Sequence, residues 1–123
     1  MPIVEIIPKR EFFDFTAKYQ KGLTDYIVPA QIDDEIKVRM QNLALEAHQA
    51  LGCRDFSRVD IILSDEGIGY VLEVNTIPGF TATSLLPKAA KADNISFNQL
   101  CFCLIEMAYG KKKIENQNIA VSN

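Results

Sequence analysis

Arg58-Val59-Asp60-Ile61-Ile62-Leu63, a polar break at Asp65-Glu66-Gly67-Ile68-Gly69, and Tyr70-Val71-Leu72-Glu73-Val74-Asn75 determine the fold of this chain. Two apolar runs around a glycine-containing loop predict antiparallel strands over 56–63 and 70–74. Side chains alternate along a strand, so Val59, Ile61 and Leu63 share one face while Arg58 and Asp60 share the other. In the same way Tyr70, Leu72 and Val74 oppose Glu73 and Asn75. Burying all of these apolar residues together requires paired residue numbers with an odd sum, for instance Asp60 across from Glu73. The same register gathers Arg58, Asp60, Glu73 and Asn75 on one patch. Three oxygen donors beside a guanidinium suit a hard cation such as Mg2+ bridging to phosphate oxygens. A solvated polar face on a half-exposed sheet alternates identically, so the pattern alone leaves both readings open.

Upstream of the hairpin, Ile36, Met40, Leu43, Ala44, Ala47 and Leu51 recur at helical spacing. Acidic residues at 33–35 and Gly52 beyond the end complete a helix over 33–51. Ile3 to Ile7, between two prolines, reads as a strand. Residues 11–30 mix aromatics with Lys18, Lys21, Gly22 and Pro29 without a sustained period, which reads as a long loop with a turn at Lys21-Gly22. Downstream, Asn75 to Thr83 is turn-like, and its Pro78-Gly79 pair can aim backbone N–H groups at an anion. A short helix is predicted near 84–92. A second follows, with Ser96 and Gln99 at capping-box spacing, an Ile95/Leu100 staple, and a buried stripe of Phe97, Leu100, Cys101, Leu104, Ile105 and Ala108. Gly110 ends it, and 111–123 reads as a polar, frayed tail. The expected architecture is α+β, an antiparallel sheet with helices packed on one face.

The chain has 123 residues, enough for one ordinary core without metal or disulfide staples. At 48% hydrophobic and 24% charged residues it is neither disordered nor fibrous by composition. A net charge of −3 is the wrong sign for a general nucleic-acid binder, so Lys111 to Lys113 read as a solvated helix end. No apolar run approaches the roughly 20 residues that span a bilayer, and no leader pattern opens the chain; the expectation is a cytoplasmic protein without membrane contact. Cys53, Cys101 and Cys103 lack a C-x-x-C pair and read as reduced apolar filler. His48, the one histidine, sits at the edge of the first helix's packed face and reads as structural.

Leu51-Gly52-Cys53-Arg54, Arg58-Val59-Asp60, Val71-Leu72-Glu73-Val74-Asn75-Thr76, Pro78-Gly79 and Ser84-Leu85 stand in an order and spacing that resembles the C-terminal part of the D-alanine–D-alanine ligases of the ATP-grasp superfamily. Phe13-Asp14-Phe15-Thr16-Ala17-Lys18-Tyr19 resembles that family's mobile loop, and Ile27-Val28-Pro29-Ala30 its exit. The likeness runs to about Gly110, so 1–110 is expected to be a C-terminal ATP-grasp subdomain. The Glu-x-Asn element by itself indicates only ATP-grasp enzymes in general.

The resemblance implies ATP and two Mg2+ (or Mn2+) ions, with Asp60, Glu73 and Asn75 as metal ligands and Glu73 bridging. It implies that Arg58 contacts the transferred phosphoryl group, and that the Gly79 N–H contributes to an oxyanion hole. Ser84 and the Leu85 N–H would bind the carboxylate of the second D-alanine, while Lys18, facing the ATP phosphates, and Tyr19 close over the substrates. The implied reaction phosphorylates one D-alanine carboxylate and lets the amine of a second attack the acyl phosphate, for peptidoglycan precursor synthesis in a bacterial cytoplasm. Ile77 and Phe80 depart from the family's usual serine and methionine, at positions that are not proposed ligands. The family's N-terminal and central domains, with their glycine-rich phosphate loop and ATP-contacting lysines, have no counterpart here. The chain is thus expected to be part of a homodimeric ligase and without turnover on its own. Two rival readings are a D-alanyl-D-lactate or D-alanyl-D-serine ligase, and a stand-alone, non-catalytic nucleotide- or metal-binding module.

Overall fold

A computed structural model of the protein describes residues 1–8 and 24–109. Its elements are β1 (Glu5–Pro8), β2 (Thr24–Ile27), α1 (Asp34–Ala50), β3 (Arg58–Leu63), β4 (Gly69–Asn75), α2 (Leu85–Ala92) and α3 (Phe97–Ala108). The class is α+β, as expected. Among the described residues the antiparallel pairing is divided between two two-stranded ladders, β1–β2 and β3–β4. β2 lies inside the stretch that the sequence presents as loop. Its four residues, Thr-Asp-Tyr-Ile, carry no alternation long enough to see, and their partner is Glu5 to Pro8, far away in sequence. The Ala30 N–H extends this ladder by donating to the Ile3 carbonyl at 2.9 Å.

α1 begins and ends where its sequence signals lie: Asp33 is its N-cap, Leu51 its C-cap, and Gly52 follows at φ 64°, a conformation that favours glycine. Met40 is its buried centre. Leu51, expected on the packed stripe, is 68% exposed because it falls beyond the last helical turn. The helix packs on both strands of the β3–β4 hairpin. The approach is tight at Gly69, where a Cβ would collide with Met40 Sδ and lie 2.9 Å from Leu43 Cδ2. Only a residue without a side chain lets helix and strand approach so closely. At the hairpin loop Arg39 Nη2 donates to the Gly67 carbonyl at 3.2 Å, and His48 Nδ1 pairs with Ser57 Oγ at 2.7 Å near the other end of the helix.

α2 and α3 pack against each other, burying Ala89, Ala90 and Leu100. The Ser96–Gln99 capping box forms in both directions, as its spacing predicts. The predicted stripe of α3 narrows to Leu100, which is buried, with Cys101 and Leu104 half-buried. Phe97, Ile105 and Ala108 are exposed instead, since α2 covers only part of the helix. All three cysteines are free and half-buried. No helix among the described residues is long and apolar enough to cross a membrane. The turn at Lys21-Gly22, Gly110 and the tail 111–123 lie outside the described residues.

Candidate active site

The β3–β4 register makes the polar patch. Arg58 pairs with Asn75, Val59 with Val74 and Asp60 with Glu73, the odd-sum register that the sequence requires. Beyond Asp60 the register shifts by one residue, pairing Ile61 with Val71, Ile62 with Tyr70 and Leu63 with Gly69. Leu72 is the additional residue of this β-bulge. The bulge corrects the predicted core face: Tyr70 and Leu72 do not join Val59, Ile61 and Leu63 in the interior, and are 54% and 61% exposed. Gly69 takes the inward place opposite Leu63, under α1.

On the polar face Arg58 holds the two carboxylates together. Its Nε donates to Asp60 Oδ1 at 2.7 Å, and its Nη2 donates to Asp60 Oδ2 at 3.0 Å and to Glu73 Oε1 at 3.3 Å. Arg58 and Asp60 side chains are half-buried and Glu73 more exposed. The hydrogen bond to Asp60 raises the Arg58 pKa, partial burial opposes this, and the charges of Asp60 and Glu73 add to the rise. Asn75 Oδ1 accepts the Ile77 N–H at 3.0 Å, which fixes the amide two cross-strand pairs along from Asp60 and Glu73, on the same face.

This donor set fits a hard divalent cation. Two carboxylates face each other on adjacent strands, an amide oxygen follows, and the arrangement already accommodates positive charge in the form of a guanidinium. The described residues contain no group of three or more His, Cys, Asp or Glu able to hold a metal, so Asn75 is needed to complete the set.

Asn75 and Gly79 are four residues apart, which keeps the turn within roughly 14 Å of the patch. Phe80 stacks on Phe97 at the start of α3, with ring centroids 5.4 Å apart. Ile77 projects into solvent, 87% exposed. Thr81 N donates to Ser84 Oγ at 3.0 Å, and Thr81 Oγ1 lies 2.8 Å from the same atom. A Cβ at Gly79 would meet Ser84 Oγ at 3.2 Å, so glycine leaves that hydroxyl approachable. Ser84 is the N-cap of α2, and Leu85 is its first residue, whose N–H has no carbonyl in helical register before it.

Arg58, Asp60, Glu73 and Asn75 therefore form one cluster, and Gly79, Ser84 and Leu85 a second, joined to it by the turn that follows Asn75. Lys18 and Tyr19 lie outside the described residues. Thr81 joins this second cluster through Ser84, a contact whose trace in the residues is the spacing Thr81-x-x-Ser84. An open groove of about 390 Å3, lined by Arg39, Glu46, Gly67 and Ile68 among others, lies at the opposite, loop end of the hairpin.

Residues 1–106 match the family model described as D-ala D-ala ligase C-terminus. A D-alanine–D-alanine ligase of Methylacidiphilum infernorum is 50% identical over 109 residues, 89% of this chain and 36% of that protein. The D-alanine–D-alanine ligase from Bacillus anthracis complexed with ATP superposes with a TM-score of 0.72 at 36% identity, over 89% of this chain and 34% of the other. The VanG D-Ala:D-Ser ligase from Enterococcus faecalis gives a TM-score of 0.74 at 40% identity, over 86% and 31%. The chain thus spans about a third of the length of the relatives it matches.

Proposed function

This chain belongs to the D-alanine–D-alanine ligase C-terminus family, and from that premise we propose that it is the C-terminal part of the catalytic domain of an ATP- and Mg2+-dependent ligase joining two D-alanines. One observation carries the reading: the β3–β4 register brings Arg58, Asp60, Glu73 and Asn75 onto one face. Asp60, Glu73 and Asn75 would hold two Mg2+ ions, which when bound neutralise the charge of the ATP phosphates. Arg58 contacts the phosphoryl group as it transfers to the first D-alanine carboxylate; its planar guanidinium matches two oxygens at once. The Gly79 N–H then receives charge developing on the acyl oxygen as the second amine attacks. Ser84 and the Leu85 N–H hold the carboxylate of that second D-alanine at the positive end of α2. Lys18 and Tyr19 close over the substrates.

In this reading the chain works with the N-terminal and central domains of a homodimeric cytoplasmic enzyme that supplies peptidoglycan precursors. A polypeptide of these residues alone gives no turnover, because positioning by the other domains is absent. D-serine as acceptor is the second reading, supported by the likeness to the D-Ala:D-Ser ligase; acceptor competition in the full-length protein decides between them.

Titration of this chain with Mn2+ tests the metal site. The unchanged chain is expected to give a saturable signal that Glu73→Gln loses. An equal signal from both removes the metal assignment. In the full-length protein, ATP-driven phosphate release that does not depend on D-alanine removes the ligase assignment.

A further inference from the structure

A serine at a helix N-cap ordinarily accepts a hydrogen bond from the N–H of the second or third helical residue. Ser84 makes no such bond. The third residue of α2 is Pro87, which has no N–H to give. The hydroxyl is engaged from the other side: Ser84 Oγ accepts the Thr81 N–H at 3.0 Å and lies 2.8 Å from Thr81 Oγ1, which is itself 3.3 Å from Thr83 Oγ1.

A hydroxyl has two lone pairs and one proton. The Thr81 N–H fills one lone pair of Ser84 Oγ. When the Thr81 hydroxyl donates into the second, Ser84 has no acceptor capacity left, and its own proton must go outward to an acceptor. The opposite direction spends the Ser84 proton on Thr81. An anion in front of Ser84 selects the first arrangement, and Thr83 can donate to Thr81 to support it. The surroundings favour an anion. The first turn of α2 contains no acidic residue, its Leu85 and Leu86 N–H groups precede any helical partner, and Gly79 leaves the side of the hydroxyl open.

We propose that Thr81 is a positioning residue that makes Ser84 a dedicated hydrogen-bond donor to the carboxylate of the acceptor amino acid. This rests on the assignment of Ser84 to the acceptor carboxylate made above. It predicts a role in acceptor binding rather than in phosphoryl transfer, since the hydrogen bonds of Thr81 run to Ser84 and Thr83 and not to the Arg58 cluster.

The test compares Thr81→Val, which keeps the backbone N–H and the shape but loses the hydroxyl, with Thr81→Ser and Ser84→Ala in the full-length ligase. Thr81→Val is expected to raise KM for the acceptor D-alanine about tenfold, with kcat and the KM for ATP within about twofold. Thr81→Ser restores the original value. Adding Thr81→Val to Ser84→Ala raises the acceptor KM no further. Thr81 is exposed, so the thermal midpoint should hold; Thr81→Ala serves as the second variant if it does not. An acceptor KM unchanged in Thr81→Val while Ser84→Ala raises it overturns the role of Thr81 alone. An acceptor KM unchanged in Ser84→Ala overturns the assignment of Ser84, and the proposal with it.

Discussion

The two halves of the β3–β4 hairpin contain three cross-strand pairs each, and they serve different ends. In the half that ends at Arg58 and Asn75, charge fixes the arrangement: one guanidinium bonds to carboxylates on both strands. In the half that runs to the loop, packing fixes it: Gly69 lies beneath Met40 and Leu43 of α1, while Ile62 and Tyr70 turn outward. The bulge at Leu72 separates them. Because a bulge bends and twists its strand, each half can take the orientation its own partners need. The polar cluster is thus built on a ladder that a helix anchors elsewhere.

Substitutions in the packed half ask whether this division holds. Met40→Ala is expected to have the largest effect, a loss of about 2–5 kcal/mol in urea denaturation, because Met40 is the buried centre of α1. Mn2+ titration of the still-folded variant should match that of the unchanged chain; a parallel loss of metal affinity would show that the halves are not separable. Gly69→Ala should cost less, about 1–3 kcal/mol, since Met40 has flexible bonds with which to move aside. If the bulge absorbs the resulting strand displacement, Mn2+ affinity again stays within about twofold.

The smallest effect is expected at the start of α1, away from both halves. Asp34 is held below the ordinary carboxylate range, first by its hydrogen bond with Lys37 and then by the charge of that residue. A lowered folded-state pKa stabilises above the ordinary value, and the benefit is lost as pH falls through the lowered one. The difference in thermal midpoint between the chain and Lys37→Met should shrink over that acidic range. Added salt should shrink it too, because the pair is solvent-exposed. Arg58 contributes no slope there: its raised pKa keeps it charged until pH exceeds the ordinary arginine value.

Much of this was legible in the residues. The hairpin announces itself by alternation and a glycine loop, and parity puts Asp60 and Glu73 on one face, with their direct pairing one of the registers it allows. The helix ends carry their own chemistry, in Gly52 after α1 and in the Ser96–Gln99 box before α3. The bulge was hidden because Leu72 continues the apolar alternation and looks like any inward residue. β2 was hidden because its partner is distant in sequence and its four residues are not distinctively strand-like. The overestimated stripe of α3 has another cause: periodicity shows which face is apolar, not how much of it a neighbour covers. Thr81 escaped because hydroxyl pairings depend on a turn geometry that composition does not encode.

The bulge also bears on which changes of chain length the hairpin tolerates. β3 has six residues and β4 seven, and the surplus one is Leu72. Loss of that single codon would leave every existing cross-strand pair available in one uninterrupted register, whereas loss of any other β4 codon removes a pairing partner. For the bookkeeping of the ladder, Leu72 is an insertion carried by the strand, and a gene shortened there would keep the cross-strand pairs while losing the bend between the two halves.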